Sequence, residues 1–352
     1  MLNNPSITEL NNRIINGACN IAVRGSLVAS TGVSGYGGPD RYFANNANSA
    51  GGSFTQSQGT ITYNGNTLYT VMQTVGTAVS STTSTNYWSG ICQIIEGFYA
   101  NSLLGNTITV SFLFNASLAG TYSLALRDSG NGNSYVTAFN IPTGGVVTPI
   151  RVTIPVPTNI TIPASTAVGL SINIGALNTG TYQQSTGNLN AWQTGNFFAA
   201  QGATNWGATA ANTIAVTNFQ VKIGIPTYAY DSSTLIDQHL CYRYYYKHIG
   251  SSANSTVYLN AGVGRAYSTT NGQVALGLPS PMRSLPSFSY SALTDWNPAG
   301  GTITAMLVSN ITTDFRWVTI DITASFTSGA VIILNGNNTS SAYLSFSSEL
   351  TV

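Results

Sequence analysis

Alternation of apolar and polar residues with a period of two is the feature that most narrows what this chain can fold into. Ile108, Val110, Phe112 and Phe114 fall on one side of an extended segment, with Thr107, Thr109 and Ser111 on the other. The pattern recurs at Tyr122, Leu124 and Leu126, at Val152, Ile154 and Val156, at Val168, Leu170, Ile172 and Ile174, and at Val318, Ile320, Ile322, Ala324 and Phe326. Gly, Pro or Asn clusters bound the runs, as strand ends require. Strands of this kind bury one face, so the expected fold class is all-β, with antiparallel β-sandwiches. The continuous apolar run 330–334 reads as a strand buried on both faces. Between Val216 and Phe219 the alternation changes phase, which predicts a bulge near Thr217 and Asn218. DSGNGNS at 128–134 separates two alternating runs and predicts a hairpin turn. A calcium loop would need further acidic ligands beside Asp128.

At 352 residues the chain has room for two domains. Pro226 stops the strand that precedes it. Ser232 or Ser233 is placed to cap a short helix whose apolar side is Ile236 and Leu240, at i,i+4 spacing. The expected organisation is an N-terminal anchor segment with an opening strand (1–38), a β-sandwich (39–225), a linker with a short helix (226–241) and a C-terminal β-sandwich (242–352). In the strand expected after the helix, Tyr244 and Tyr246 share one side and Tyr245 takes the other.

Only 6% of residues are charged, against about 25% in ordinary soluble domains. Asn, Ser, Thr and Gly carry the polarity instead, and 43% of residues are hydrophobic, so the chain has the apolar surface that disordered chains lack. A net charge of +1 without a basic stripe argues against nucleic-acid binding. Arg243, Lys247 and His248 form the nearest thing to a cluster and read as a polar rim at a domain junction. No apolar run approaches the length of a membrane span, and no secretory leader follows Met1, so no membrane insertion is expected. Cys19, Cys92 and Cys241 are odd in number and far apart, which suits buried free thiols rather than disulfides or zinc. The scarcity of edge-blunting charge points to sheet edges covered by other copies of the chain, and hence to a homo-oligomer.

Catalytic chemistry finds little support. Asp40 beside Arg41, Asp128 beside Arg127, and Asp314 near Arg316 read as ion pairs or turn caps rather than a glycosidase pair. His239 and His248 accompany no serine elbow, and two histidines cannot complete a three-histidine zinc site. The expectation is a protein that is not an enzyme and uses no cofactor or metal.

Several segments together resemble a family of phage tail-fibre and virion structural proteins. VTNFQVKIG (216–224) looks like the closing strand of the family's jelly-roll domain, and Leu240, Cys241, Arg243, Tyr244, Tyr245 and Lys247 match its LCxRYYxK linker. NRIINGACNIAVRG (12–25) is similar to the opening strand, and PDRYF, ICQIIEG and LPSPMRSLPSFSYS keep the family's order. The resemblance implies two tandem jelly-roll-like sandwiches, the first like a carbohydrate-binding module, joined by a short helical linker. It implies a trimer in a virion assembled in the host cytoplasm, with other virion proteins of tail, neck or capsid and a host glycan as partners. A tail fibre or receptor-binding protein is the first reading and a head fibre, neck fibre or capsid-decoration protein the alternative. The 11 residues before that opening strand are the expected docking peptide, with Leu2, Pro5, Ile7 and Leu10 as its apolar contacts.

A sugar surface would use aromatic rings among amide-rich loops. Tyr87, Trp88, Trp192 and Trp206 lie in such stretches and are the candidate glycan-binding residues, with packing in the core or at a subunit interface as the other role for each. Trp296 and Trp317 pose the same choice in the C-terminal half, Trp317 nearer a core strand.

Overall fold

The computed structural model describes residues 12–30, 32–47, 51–79, 87–177, 180–224, 230, 234–249, 260–298, 301–337, 339 and 341–350. Two compact units divide within the helical linker: residues 1–237 with 350–352, and residues 238–349. The docking peptide with Leu2, Pro5, Ile7 and Leu10, the caps Ser232 and Ser233, and Pro226 lie outside the described residues.

The first unit contains β1 (Leu27–Ala29), β2 (Val33–Tyr36), β3 (Tyr42–Asn46), β4 (Ser53–Tyr63), β5 (Asn66–Thr77), β6 (Ile91–Glu96), α1 (Gly97–Ala100), β7 (Thr107–Ala116) and β8 (Gly120–Asp128). β9 (Asn133–Ile141), β10 (Thr148–Pro155), β11 (Val168–Ile174), β12 (Gln183–Gln184), β13 (Trp192–Thr194), β14 (Ala199–Ala200) and β15 (Thr213–Ile223) follow. A six-stranded sheet runs β1-β4-β5-β15-β7-β10 and a seven-stranded sheet runs β13-β9-β8-β11-β6-β3-β2. Pairing in both is antiparallel, and among the described residues only the short β12–β14 pair is parallel. One core lies between them: Val110, Phe112, Phe114, Val216 and Phe219 from the first sheet meet Tyr42, Ile91, Tyr122, Leu124 and Ile172 from the second. This is an antiparallel β-sandwich, as the alternation predicts, and a jelly-roll-like one, as the resemblance implies.

Two local features follow the sequence closely. On β15, Thr217 pairs with Leu113 and Gln220 with Ser111, so one extra residue enters the strand, and Asn218 takes φ 52°. The bulge lets Ile214 and Val216 before it, and Phe219 and Val221 after it, all face the core. At 128–134, β8 and β9 form the expected hairpin, where Asp128 Oδ1 accepts from the amides of Gly132 (2.9 Å) and Asn133 (3.2 Å).

Side-chain amides tie the sheets together across this core. Gln73 Nε2 donates to Gly90 O (2.8 Å) and to Gln56 Oε1 (2.9 Å), while Gln56 Nε2 donates to the carbonyls of Gly37 and Tyr42. Gln93 exchanges two 2.9 Å hydrogen bonds with the backbone of Ile15. The segment 12–25, expected as an opening strand, is instead irregular and largely buried. Asn16 (φ 58°) and Cys19 (φ 59°) break extended geometry, and the Asn16 side chain takes over part of the hydrogen bonding by capping Ile21 and Asp40.

The helix is α2 (Thr234–Tyr242), and its buried residue is Cys241. Ile236, expected on the apolar side, is exposed, because the helix turns its 237/241 face inward. The second unit contains β16 (Tyr245–Ile249), β17 (Asn260–Ala266), β18 (Asn271–Gly277), β19 (Ser287–Tyr290), β20 (Trp296–Asn297), β21 (Ala305–Ile311), β22 (Trp317–Thr323), β23 (Val331–Gly336) and β24 (Tyr343–Ser347). Sheets β16-β24-β19 and β20-β23-β17-β18-β22-β21 enclose a second core that includes Val274, Val318, Ile320, Ile332, Leu344 and Phe346. Tyr245 and Tyr246 lie in β16 and Tyr244 in the turn before it. The run 330–334 is not buried on both faces: Ile332 and Leu334 face the core, while Val331 and Ile333 are exposed. The three cysteines are free and buried.

Asp237 yields a pH prediction. Its Oδ1 accepts the Asn16 amide at 3.0 Å, yet burial pushes its carboxyl up to about 6, an effect that hydrogen bond only partly opposes. A carboxyl with a folded pKa above its unfolded value of about 3.9 is an increasing burden as pH rises from about 4 through about 6, and a constant one above. Asp237→Asn keeps an acceptor and is expected to stabilise the protein by about 1–3 kcal/mol at pH 7 and by nearly nothing at pH 4. Urea unfolding at both pH values reads this, and equal effects at the two would refute it.

Candidate functional site

The β15 bulge shapes the larger opening on the first unit. By adding a residue where β15 crosses β7, it brings both Asn218 and Gln220 to the outer face of the six-stranded sheet, beside Ser111 and Arg151. Tyr63, at the end of β4, and Tyr230 wall the resulting groove of about 340 Å³. Gln220 is only 6% exposed, and its Oε1 is buried without a partner. The Asn218 side chain likewise has no protein partner among the described residues. Buried polar groups normally find partners, so unspent amides in a groove of small-molecule size mark a place for a hydrogen-bonding ligand.

A smaller recess of about 60 Å³ opens on the outer face of the seven-stranded sheet. The pairings Phe43 to Cys92 and Cys92 to Asn173 place those side chains in a row, and Arg127 joins them from β8. Arg127 is 7% exposed. Its Nε donates to Asn173 Oδ1 (3.3 Å), its Nη1 to Asn196 Oδ1 (2.8 Å), and its guanidinium lies 5.2 Å from the Phe198 ring centroid. Tyr87 enters from the segment before β6, receives a hydrogen bond from Asn45 Nδ2 (3.0 Å) and packs edge-on against Phe198. Burial lowers the pKa of Arg127, raises that of Tyr87 and pushes the Cys92 thiol up to about 12, so both acids are neutral at pH 7. Among the described residues no carboxylate lines either opening.

The four aromatic candidates separate. Tyr87 lines the small recess. Trp192 is half-buried, with Nε1 donating to Pro155 O (2.7 Å) and its ring tilted against Tyr135. Trp88 and Trp206 are fully buried, 5.4 Å apart edge to face, and Phe54 packs on Trp88. They are core residues and not ligand contacts: Trp206 Nε1 is spent on Gly175 O (2.8 Å), and Gly207 lets Trp88 close so tightly that a Cβ there would sit 2.8 Å from its ring. In the second unit the two tryptophans also separate. Trp296 is buried, whereas Trp317 is 55% exposed because it shares strand parity with Thr319 and Asp321. A recess of about 350 Å³ beside Trp296 offers less to a ligand, since Asn337 Nδ2 already donates to Thr294 O (3.1 Å).

The carboxylates have structural partners. Asp128 also accepts from Thr161 N (3.2 Å), Asp40 accepts from the Val23 and Arg24 amides, and Asp314 forms an exposed 3.8 Å ion pair with Arg316. Among the described residues no group of three His, Cys, Asp or Glu side chains could hold a metal, and no helix is long and apolar enough to cross a membrane.

No family model matches the chain, and no curated protein matches its sequence. Among solved structures it is similar to the enzymatically active domain of bacteriophage CBA120 tailspike protein 4, with 13% identity over 61% of this chain and 22% of that one (TM-score 0.30). It is similar to the CBM22-1 xylan-binding domain of Paenibacillus barcinonensis Xyn10C, with 8% identity over 60% and 94% of the two chains (TM-score 0.30). A family 11 carbohydrate-binding module from Clostridium thermocellum shows 11% identity over 57% and 96% (TM-score 0.25). Likenesses this slight carry no argument about function.

The buried tryptophans are testable. Trp206→Ala is expected to cost about 3–5 kcal/mol in urea unfolding. Trp192→Ala, at a half-buried edge, is expected to cost less than half as much. Equal costs would contradict the packing described.

Proposed function

We propose that the chain is a non-enzymatic, glycan-binding protein of a phage virion, and that the groove on the six-stranded sheet takes a neutral sugar. One observation carries the sugar reading: Asn218 and Gln220 offer unpartnered amides inside a groove of about 340 Å³ walled by Tyr63 and Tyr230. An amide presents donors and an acceptor together, which suits hydroxyl groups, and tyrosine rings supply the apolar surface for a sugar's C–H face.

Placement in a virion rests on the resemblance of VTNFQVKIG and LCYRYYYK to phage fibre proteins. Tail-fibre placement is favoured over capsid decoration because the groove is a recognition feature that a shell stabiliser does not require. Self-association is supported by the outer face of the second unit's larger sheet, where Val263 pairs with Ile333 and both are exposed near Val331. Exposed apolar sheet faces are commonly covered by another subunit. A trimer follows the resemblance.

Asn218→Ala combined with Gln220→Ala is expected to abolish retention on a neutral-glycan array while lowering stability by about 1–2 kcal/mol, because alanine tolerates the φ of 52° at position 218 less well than asparagine. Undiminished retention would remove the groove from recognition. Val263→Asp with Val331→Asp is expected to convert the oligomer to monomer in light scattering, and an unchanged mass would clear that face. Immunogold label on the tail of intact virions is the expected location, and label over the capsid would favour the decoration role.

A further inference from the structure

The Arg127 recess is a second site with different chemistry, separate from the groove and on the opposite sheet. Arg127 is more than nine-tenths buried, and both acceptors of its hydrogen bonds, Asn173 and Asn196, are neutral. Nη2 has no protein acceptor among the described residues, yet it is not sealed from solvent. A desolvated guanidinium without a counter-charge is costly to fold around, and an arginine remains charged at neutral pH.

The surroundings are organised to keep it in place. Asn173 Nδ2 donates to Ser89 O (3.0 Å), which fixes its Oδ1 toward Arg127, and the Phe198 ring supports the guanidinium plane. Tyr87 accepts from Asn45, so its own hydroxyl proton is free to be donated. Asn131, held at φ 53° in the hairpin turn, has a buried, unpartnered Oδ1 on the recess, and a half-turn of its amide presents Nδ2 donors instead.

We propose that this recess binds the carboxylate of an acidic sugar, with Arg127 Nη2 and the Tyr87 hydroxyl as donors and the sugar ring left outside the mouth. The size sets the class. About 60 Å³ holds the equivalent of roughly two waters, enough for a carboxylate and too small for a pyranose. A single guanidinium matches a monoanion, and planar carboxylates suit its fork geometry. The choice of a sugar as carrier rests on the glycan reading, whereas the carboxylate does not.

The test is calorimetric titration of the full chain with methyl galacturonoside, methyl galactoside and galactose 6-sulfate. Saturable binding of the galacturonoside is expected to fall roughly 10- to 100-fold in Arg127→Met. Tyr87→Phe, which removes one hydroxyl at the mouth and with it the acceptor for Asn45, is expected to lose roughly 3- to 10-fold with a melting temperature lowered by only a few degrees, and it carries the test if Arg127→Met does not fold. The Asn218→Ala, Gln220→Ala variant is expected to keep galacturonoside binding intact, so failure of the groove reading leaves this result unaffected. Preference for the sulfate ester, equal binding of the neutral galactoside, or loss of galacturonoside binding only in the groove variant would each overturn the assignment.

Discussion

Side-chain amides hold the two sheets of the first unit in register. Gln73 and Gln56 reach from the six-stranded sheet to carbonyls beside and within the seven-stranded one, and Gln93 fastens the irregular 12–25 segment from the other side. Each bond contributes only about 1 kcal/mol net, but breaking one leaves a buried polar group unmet, which costs about 1–3 kcal/mol. An apolar core fixes that the sheets pack, whereas the amides specify where each backbone carbonyl must lie. A chain with 6% charged residues has few other means of such specification.

Gln73 keeps one buried oxygen unmet in the core, whereas the unmet amides of Asn218 and Gln220 lie at an opening. Asn218 and Gln220 share a groove because the extra residue at the bulge re-aims the strand, a use that bulges commonly serve beside binding sites. The bulge itself is legible in sequence, since a change of phase between Val216 and Phe219 is a one-dimensional record of it. Its consequence is not, because the groove depends on Arg151 from β10, Tyr63 from β4 and Tyr230 meeting in space.

Strand parity is the signal that transfers best from sequence to structure, and it corrects errors made without it. Counting from Val318, Ile320 and Ile322 puts Trp317 on the solvent face, where it lies, and settles a choice that composition and neighbourhood leave open. Parity also separates Ile332 and Leu334 from Val331 and Ile333, so an unbroken apolar run does not require two buried faces. The tryptophans in loop-like stretches had no such guide. Trp88 makes isolated bridges to Asn46 and Leu177 and Trp206 opens a short 3-10 turn, and a residue outside the strands can be as deeply buried as any strand residue. Segment 12–25 misleads for a related reason: its apolar residues are buried, but by turns built on Asn16 and Cys19 rather than by a strand.

Arg127 shows how an electrostatic site escapes sequence reading altogether. Next to Asp128 it looks like half of an ion pair, yet neighbours on a strand point to opposite faces, so adjacency separates the two charges instead of joining them. Asp128 spends its oxygens on the hairpin and on Thr161, while Arg127 goes to the outer face with only amides and an aromatic ring for company. Had the pair stood two residues apart, they would share a face and could neutralise each other. The odd spacing leaves the cation uncompensated within the fold, which is the condition under which an external anion has most to contribute.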